Sequence, residues 1–174
     1  MRVALTSFLL LVTTAVSAQM PYAGMQTRPI KALSEQQVSD LNAGRGMGLA
    51  LAAELNGYPG PSHVLELADK LELSSDQRTQ VQGLFASMKA EAQPIGKKLL
   101  AQETELDRLF ASRAITPDTL KASTAAIAVT QGELRETHLK YHLSTAVLLT
   151  PVQMQRYAEL RGYGDDKPRH QHRH

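Results

Sequence analysis

Apolar positions recur at helical spacing through most of this chain. From Val81 they fall at Leu84, Phe85, Met88, Ala92, Ile95, Leu99, Leu106, Leu109 and Phe110, in steps of mainly three and four. The pattern predicts one long helix from about Ser75 to Ser112. Pro94 lies inside it, where it removes an intrahelical bond and should bend the rod. A second seam runs Leu120, Thr124, Ile127, Gln131, Leu134, His138, Tyr141, Thr145 and Leu148, opened by Thr116-Pro117 as cap and first helical residue. A short last helix follows, to about Arg161. Only a few residues separate the two long helices, so an antiparallel hairpin is expected. Strand signals are nearly absent, and the fold class is all-α.

Three segments punctuate these patterns: Leu33-Ser34-Glu35-Gln36-Gln37, Leu73-Ser74-Ser75-Asp76-Gln77 and Leu149-Thr150-Pro151-Val152-Gln153. Each reads as a capping box, in which the hydroxyl accepts from the N3 amide and the Gln reaches back to the N-cap amide. The preceding Leu staples the incoming chain onto the first turn. Upstream, Ser34 to about Leu55 has helical character broken by Gly44, Gly46 and Gly48. The turn cluster Asn56 to Pro61 separates it from a helix starting near Ser62. Residues 19–32 read as extended and mobile.

Residues 1–18 read as a signal peptide: Arg2, then an apolar run to Val16, then Ser17-Ala18 as a cleavage site. The run is shorter than the ~20 residues of a bilayer span, which argues against an anchor. Removing 18 of the 174 residues leaves 156, enough for one domain with a modest core. Export to the periplasm is the expected localisation. Without Arg2, the 19 basic groups become 18 against 17 acidic ones, a balance that argues against nucleic acid as a partner. There is no Cys, so disulfides, Cys catalysis and Cys metal sites are excluded. The domain plan is a signal peptide at 1–18, an N-terminal segment at 19–60, extended then partly helical, a helical hairpin at 61–161, and a disordered His-rich tail at 162–174.

The second and third boxes, Leu73, Ser74, Gln77 and Leu149, Thr150, Gln153, resemble the paired LTxxQ signature of small periplasmic proteins. That family comprises the Spy/CpxP-type chaperones and related heavy-metal sensor and resistance proteins. The likeness covers roughly residues 60–163. The Leu33 and Leu73 copies depart from it by carrying Ser where Thr is preferred, and residues 20–60 match no part of the pattern. The resemblance implies a hairpin-shaped protomer with short flanking helices, paired into a homodimer. It further implies an ATP-independent holding chaperone for unfolded or misfolded envelope proteins in the stress response, with an envelope-stress signalling partner. Alternatively, it implies a heavy-metal sensor or resistance protein that binds ions through His, Glu and Met.

No catalytic pattern stands out. There is no Gly-x-Ser-x-Gly elbow, and Gly44-Arg45-Gly46-Met47-Gly48 lacks the strand and Lys of a phosphate loop. An enzyme is not expected and no cofactor is required. The helix charges, among them Lys89, Lys98, Arg135 and Lys140 with Glu91, Glu105 and Glu133, read by default as solvated faces. His138 and His142 form a His-x-x-x-His pair one turn apart, at metal-ligand spacing. His63 opens another helix, with Glu66 one turn on. The candidate metal shell is therefore His63, Glu66, His138 and His142, for Zn²⁺, Ni²⁺ or Cu²⁺. The plainer alternative stays open: His138 as a polar seam residue and His142 as its surface neighbour. His170, His172 and His174 in the tail offer loose metal capture without fixed geometry.

Overall fold

Among the described residues six α-helices form: α1 Glu35–Ala43, α2 Leu51–Glu54, α3 Pro61–Glu66, α4 Ser75–Ala111, α5 Pro117–Ala146 and α6 Pro151–Arg161. They come from a computed structural model that describes residues 22–163. The expected signal peptide and the tail beyond Tyr163, with its three His residues, lie outside the described residues. Among the described residues there is no strand, and no helix is long and apolar enough to cross a membrane.

All three capping boxes form. Ser34, Ser74 and Thr150 each accept from the N3 amide, and Gln37, Gln77 and Gln153 each accept from the cap amide in return. Thr116 makes a fourth box with Thr119, whose hydroxyl accepts from the Thr116 amide at 2.8 Å. Helix α4 continues unbroken through Pro94.

Two of the boxes also bind each other. The Gln77 amide donates to Gln153 Oε1 at 2.8 Å and to the Leu148 carbonyl at 2.8 Å. The Gln153 amide donates to Gln77 Oε1 at 3.0 Å and to the Leu71 carbonyl at 3.2 Å. The result is a near-symmetric clasp that joins the start of α4 to the start of α6. One apolar cluster lies beside it, made of Val64, Ala68, Leu71, Leu73, Val81, Leu149 and Tyr157. A second cluster, Leu41, Ala92, Leu99, Ile127 and Leu134, fills the middle of the α4–α5 pair beneath α1.

Helix α1 approaches α4 so closely that a Cβ on Gly96 would run into the Leu41 carbonyl. Gly96→Ala is therefore expected to destabilise the fold by about 1–3 kcal/mol in urea unfolding, although Ala is the better helix former. Gly83 sits in the same helix, where an added methyl would meet nothing within 4 Å, so Gly83→Ala should instead stabilise by about 0.5–1 kcal/mol.

The chain before α1 departs from the extended reading. Met25–Thr27 form a 3-10 turn, Ile30 is buried, and Lys31 pairs with Asp107 of α4 at 3.1 Å. The expected seam also fails at one end. Phe110, Leu120 and Thr124 are exposed, because among the described residues no flanking helix covers the far ends of α4 and α5 beyond the second cluster. At the end of the described residues, the Tyr163 ring packs edge-on against Tyr157 with centroids 6.5 Å apart.

Candidate functional site

Along α5, His138 and His142 fall between Leu134 of one apolar cluster and Leu149 of the other. Met88 takes the same place on α4 between Val81 and Ala92. A cleft of about 180 Å³ opens there, lined by His63, His138, His142, Glu54, Met47 and Met88 together with the Gly46–Gly48 loop. Three of the four residues selected from the sequence thus line one cleft. Glu66 does not line it: Val64 of α3 packs into the core, and two residues further round the helix Glu66 is turned to solvent.

The carboxylate that does line it is Glu54, the last residue of α2 and only 4% exposed. The Gly60 amide donates to its Oε2 at 3.1 Å. The hydroxyls of Tyr157 and Tyr163 donate to its Oε1, the latter at 3.2 Å. His63 Nδ1 stands 3.3 Å from Oε1 and Arg161 Nε 3.5 Å from it. Burial by itself pushes the Glu54 carboxyl up, but the His63 contact, the Tyr157 hydroxyl and the Gly60 amide outweigh it and hold the group at about 2. The same burial and the nearby carboxylate push Tyr157 well above its ordinary value, so it stays a hydroxyl.

Each imidazole is held differently. His142 Nδ1 lies 2.7 Å from the Tyr58 carbonyl, which can only accept, so Nδ1 carries the proton and Nε2 keeps its lone pair when the ring is neutral. The ring lies against Gly60, where a Cβ would stand 2.8 Å from Nε2. Glycine is required there for space. His138 is 2% exposed, and its Nε2 is buried with no hydrogen-bond partner. Burial, then repulsion from His142, lowers its pKa and favours the neutral ring. His63 is half-buried, and its Nδ1 likewise lacks an aligned partner despite its closeness to Glu54.

Unpaired buried ring nitrogens cost free energy unless something else binds them. Among the described residues, however, no three His, Asp or Glu side chains are already gathered into a finished metal shell. The cleft supplies His and Glu donors from three separate helices, α2, α3 and α5, short of a closed polyhedron. No protein-family model, curated protein or solved structure matches the chain.

Sequence reasoning overlooked Glu54, Met47 and Met88 as cleft residues. The one local signal for Glu54 is a lone carboxylate in the otherwise apolar run from Leu49 to Leu55.

Proposed function

We propose that the protein is an exported, periplasmic protein of the LTxxQ type that binds a divalent metal ion in the α5 cleft, as a heavy-metal sensor or resistance protein. The observation that carries this reading is the buried His138 Nε2, which has no hydrogen-bond partner, on a cleft that also holds His63, His142 and the Glu54 carboxylate. His63, His138, His142 and Glu54 would hold the ion, with Glu54 in the role that sequence spacing assigns to Glu66. Zn²⁺, Ni²⁺ and Cu²⁺ suit such an N/O donor set. The Tyr58 carbonyl behind His142 and the tyrosines behind Glu54 would orient the ligands, as outer partners do in metal sites.

The test is calorimetric titration of the chain carrying His170→Ala, His172→Ala and His174→Ala with each ion. One ion per protomer is expected, with affinity falling at least about a hundredfold in the His138→Ala, His142→Ala double variant. Binding should also weaken as the pH falls, because a protonated imidazole cannot ligate a metal ion. No binding, or binding indifferent to the double variant, rejects the site.

A second reading, the holding chaperone, rests on the outward stripe of α5. Val129, Glu133, Glu136, Lys140, Leu143 and Val147 are all exposed and recur at helical spacing, mixing charge with apolar surface as a client-holding face requires. Suppression of a denatured client's aggregation at near-stoichiometric ratio would support it, and none from the folded protein would reject it. The antiparallel hairpin gains support from the ion pairs of Lys98 with Glu133 and of Glu91 with Lys140, whose numbers fall on α4 as they rise on α5. The uncovered Phe110 and Leu120 at the far end favour a homodimer, which light scattering would read as twice the protomer mass.

A further inference from the structure

A second cavity, separate from the histidines, lies between α1 and α5. Its volume is about 470 Å³, within the range of small-ligand clefts. Its apolar walls are Leu33 just before α1, Leu41 on it, Met47 and Leu49 from the glycine loop, and Leu99 and Leu134 from the long helices; Met47 also borders the histidine cleft. The polar side chains on it are Gln37, Gln131 and Arg135, and each offers N–H donors. Arg135 makes no ion pair and no hydrogen bond among the described residues, and neither does the Gln131 side chain make a hydrogen bond. Gln37 uses its Oε1 to cap α1, but its amide nitrogen has no partner. In Gln77 and Gln153 the equivalent nitrogens are both spent in the clasp. No Asp or Glu lines the cavity.

We propose that this cavity binds an aliphatic monocarboxylate, with the hydrocarbon chain along the leucines and the carboxylate on Arg135 and the neighbouring Gln amides. The leucine walls favour an apolar body. A single guanidinium with neutral amide donors matches one negative charge and the fork geometry of a carboxylate, and there is no second cation for a phosphate dianion. Gly132 supplies the opening, since a Cβ there would meet nothing within 4 Å.

The experiment is titration of the full chain with dodecanoate, followed by calorimetry below its micelle concentration, in the presence of a chelator so that the metal site plays no part. Saturable binding is expected. Gly132→Leu fills open space with a better helix former, so it should fold as the parent does by circular dichroism while weakening dodecanoate at least about tenfold. Arg135→Gln should weaken dodecanoate by a similar factor and leave dodecanol unchanged, with dodecanol binding the parent no better than dodecanoate binds the Arg135→Gln variant. Dodecyl phosphate should bind more weakly than dodecanoate. Absence of saturable binding overturns the proposal, as does binding that Gly132→Leu leaves intact. So would occupation by an apolar peptide in place of dodecanoate. The His138→Ala, His142→Ala variant should bind dodecanoate normally, which separates failure here from failure of the metal reading.

Discussion

Replacing Glu54 by Ala is expected to destabilise the fold by about 3–5 kcal/mol, the range for removing one member of a buried charged network. The carboxylate is the common acceptor for Tyr157, Tyr163 and the Gly60 amide, and it faces His63 and Arg161. It thereby ties α2, the start of α3 and the end of α6 together. Truncation strands these groups in a buried site, which costs more than the interactions themselves contribute. Glu54→Gln keeps the volume and an acceptor oxygen, and should cost less. The pH dependence distinguishes the two effects. Because the folded carboxyl is held at about 2 against an ordinary 4.5, its stabilisation is present above pH 4.5 and is lost as the pH falls towards 2. His138 acts in the same direction at higher pH: its pKa is lowered by burial and by His142, so protonation opposes folding as the pH drops below 6.5. Unfolding free energy measured from pH 8 to 3 should fall in two stages, and Glu54→Gln should flatten the lower one. A Glu54→Ala variant as stable as the parent would contradict this account.

The second large effect belongs to the clasp. Gln77→Ala is expected to cost about 2–3 kcal/mol, since it removes the acceptor that caps α4 and leaves the Leu148 carbonyl and one side of Gln153 unsatisfied. Gln153→Ala should cost a similar amount through Thr150 and Leu71. Once one amide has gone the other has lost its partner, so the double variant should cost less than the sum by about 1–2 kcal/mol. Urea unfolding of the four proteins measures this directly. Strict additivity would mean that the two amides act only as separate caps.

The helices could be read from the sequence because their signals are local. Ser34, Ser74, Thr116 and Thr150 each set a helix start through bonds that reach only three residues on, and the Val81 and Ile127 seams repeat within one element. The His138–His142 spacing is legible for the same reason. The partners across the fold are not. The three boxes look alike in sequence, yet Gln77 and Gln153 grip one another while Gln37 stands apart beside the leucine cavity.

The choice of carboxylate shows the same division. One turn of helix after His63 made Glu66 the natural partner, but local spacing cannot tell which side of a short helix is buried. Packing of Val64 into the core decided it, turning Glu66 outward, so that the carboxylate lining the histidine cleft is Glu54, which arrives from the preceding helix. The sequence alone determined that this chain is helical, where its helices begin and that two histidines share one helix face, because each depends on residues a turn apart. Only the tertiary structure decided which histidines, carboxylate and glutamines meet, because those contacts depend on how α2, α3 and α6 dock against α4 and α5, and docking is set by side-chain packing between distant segments.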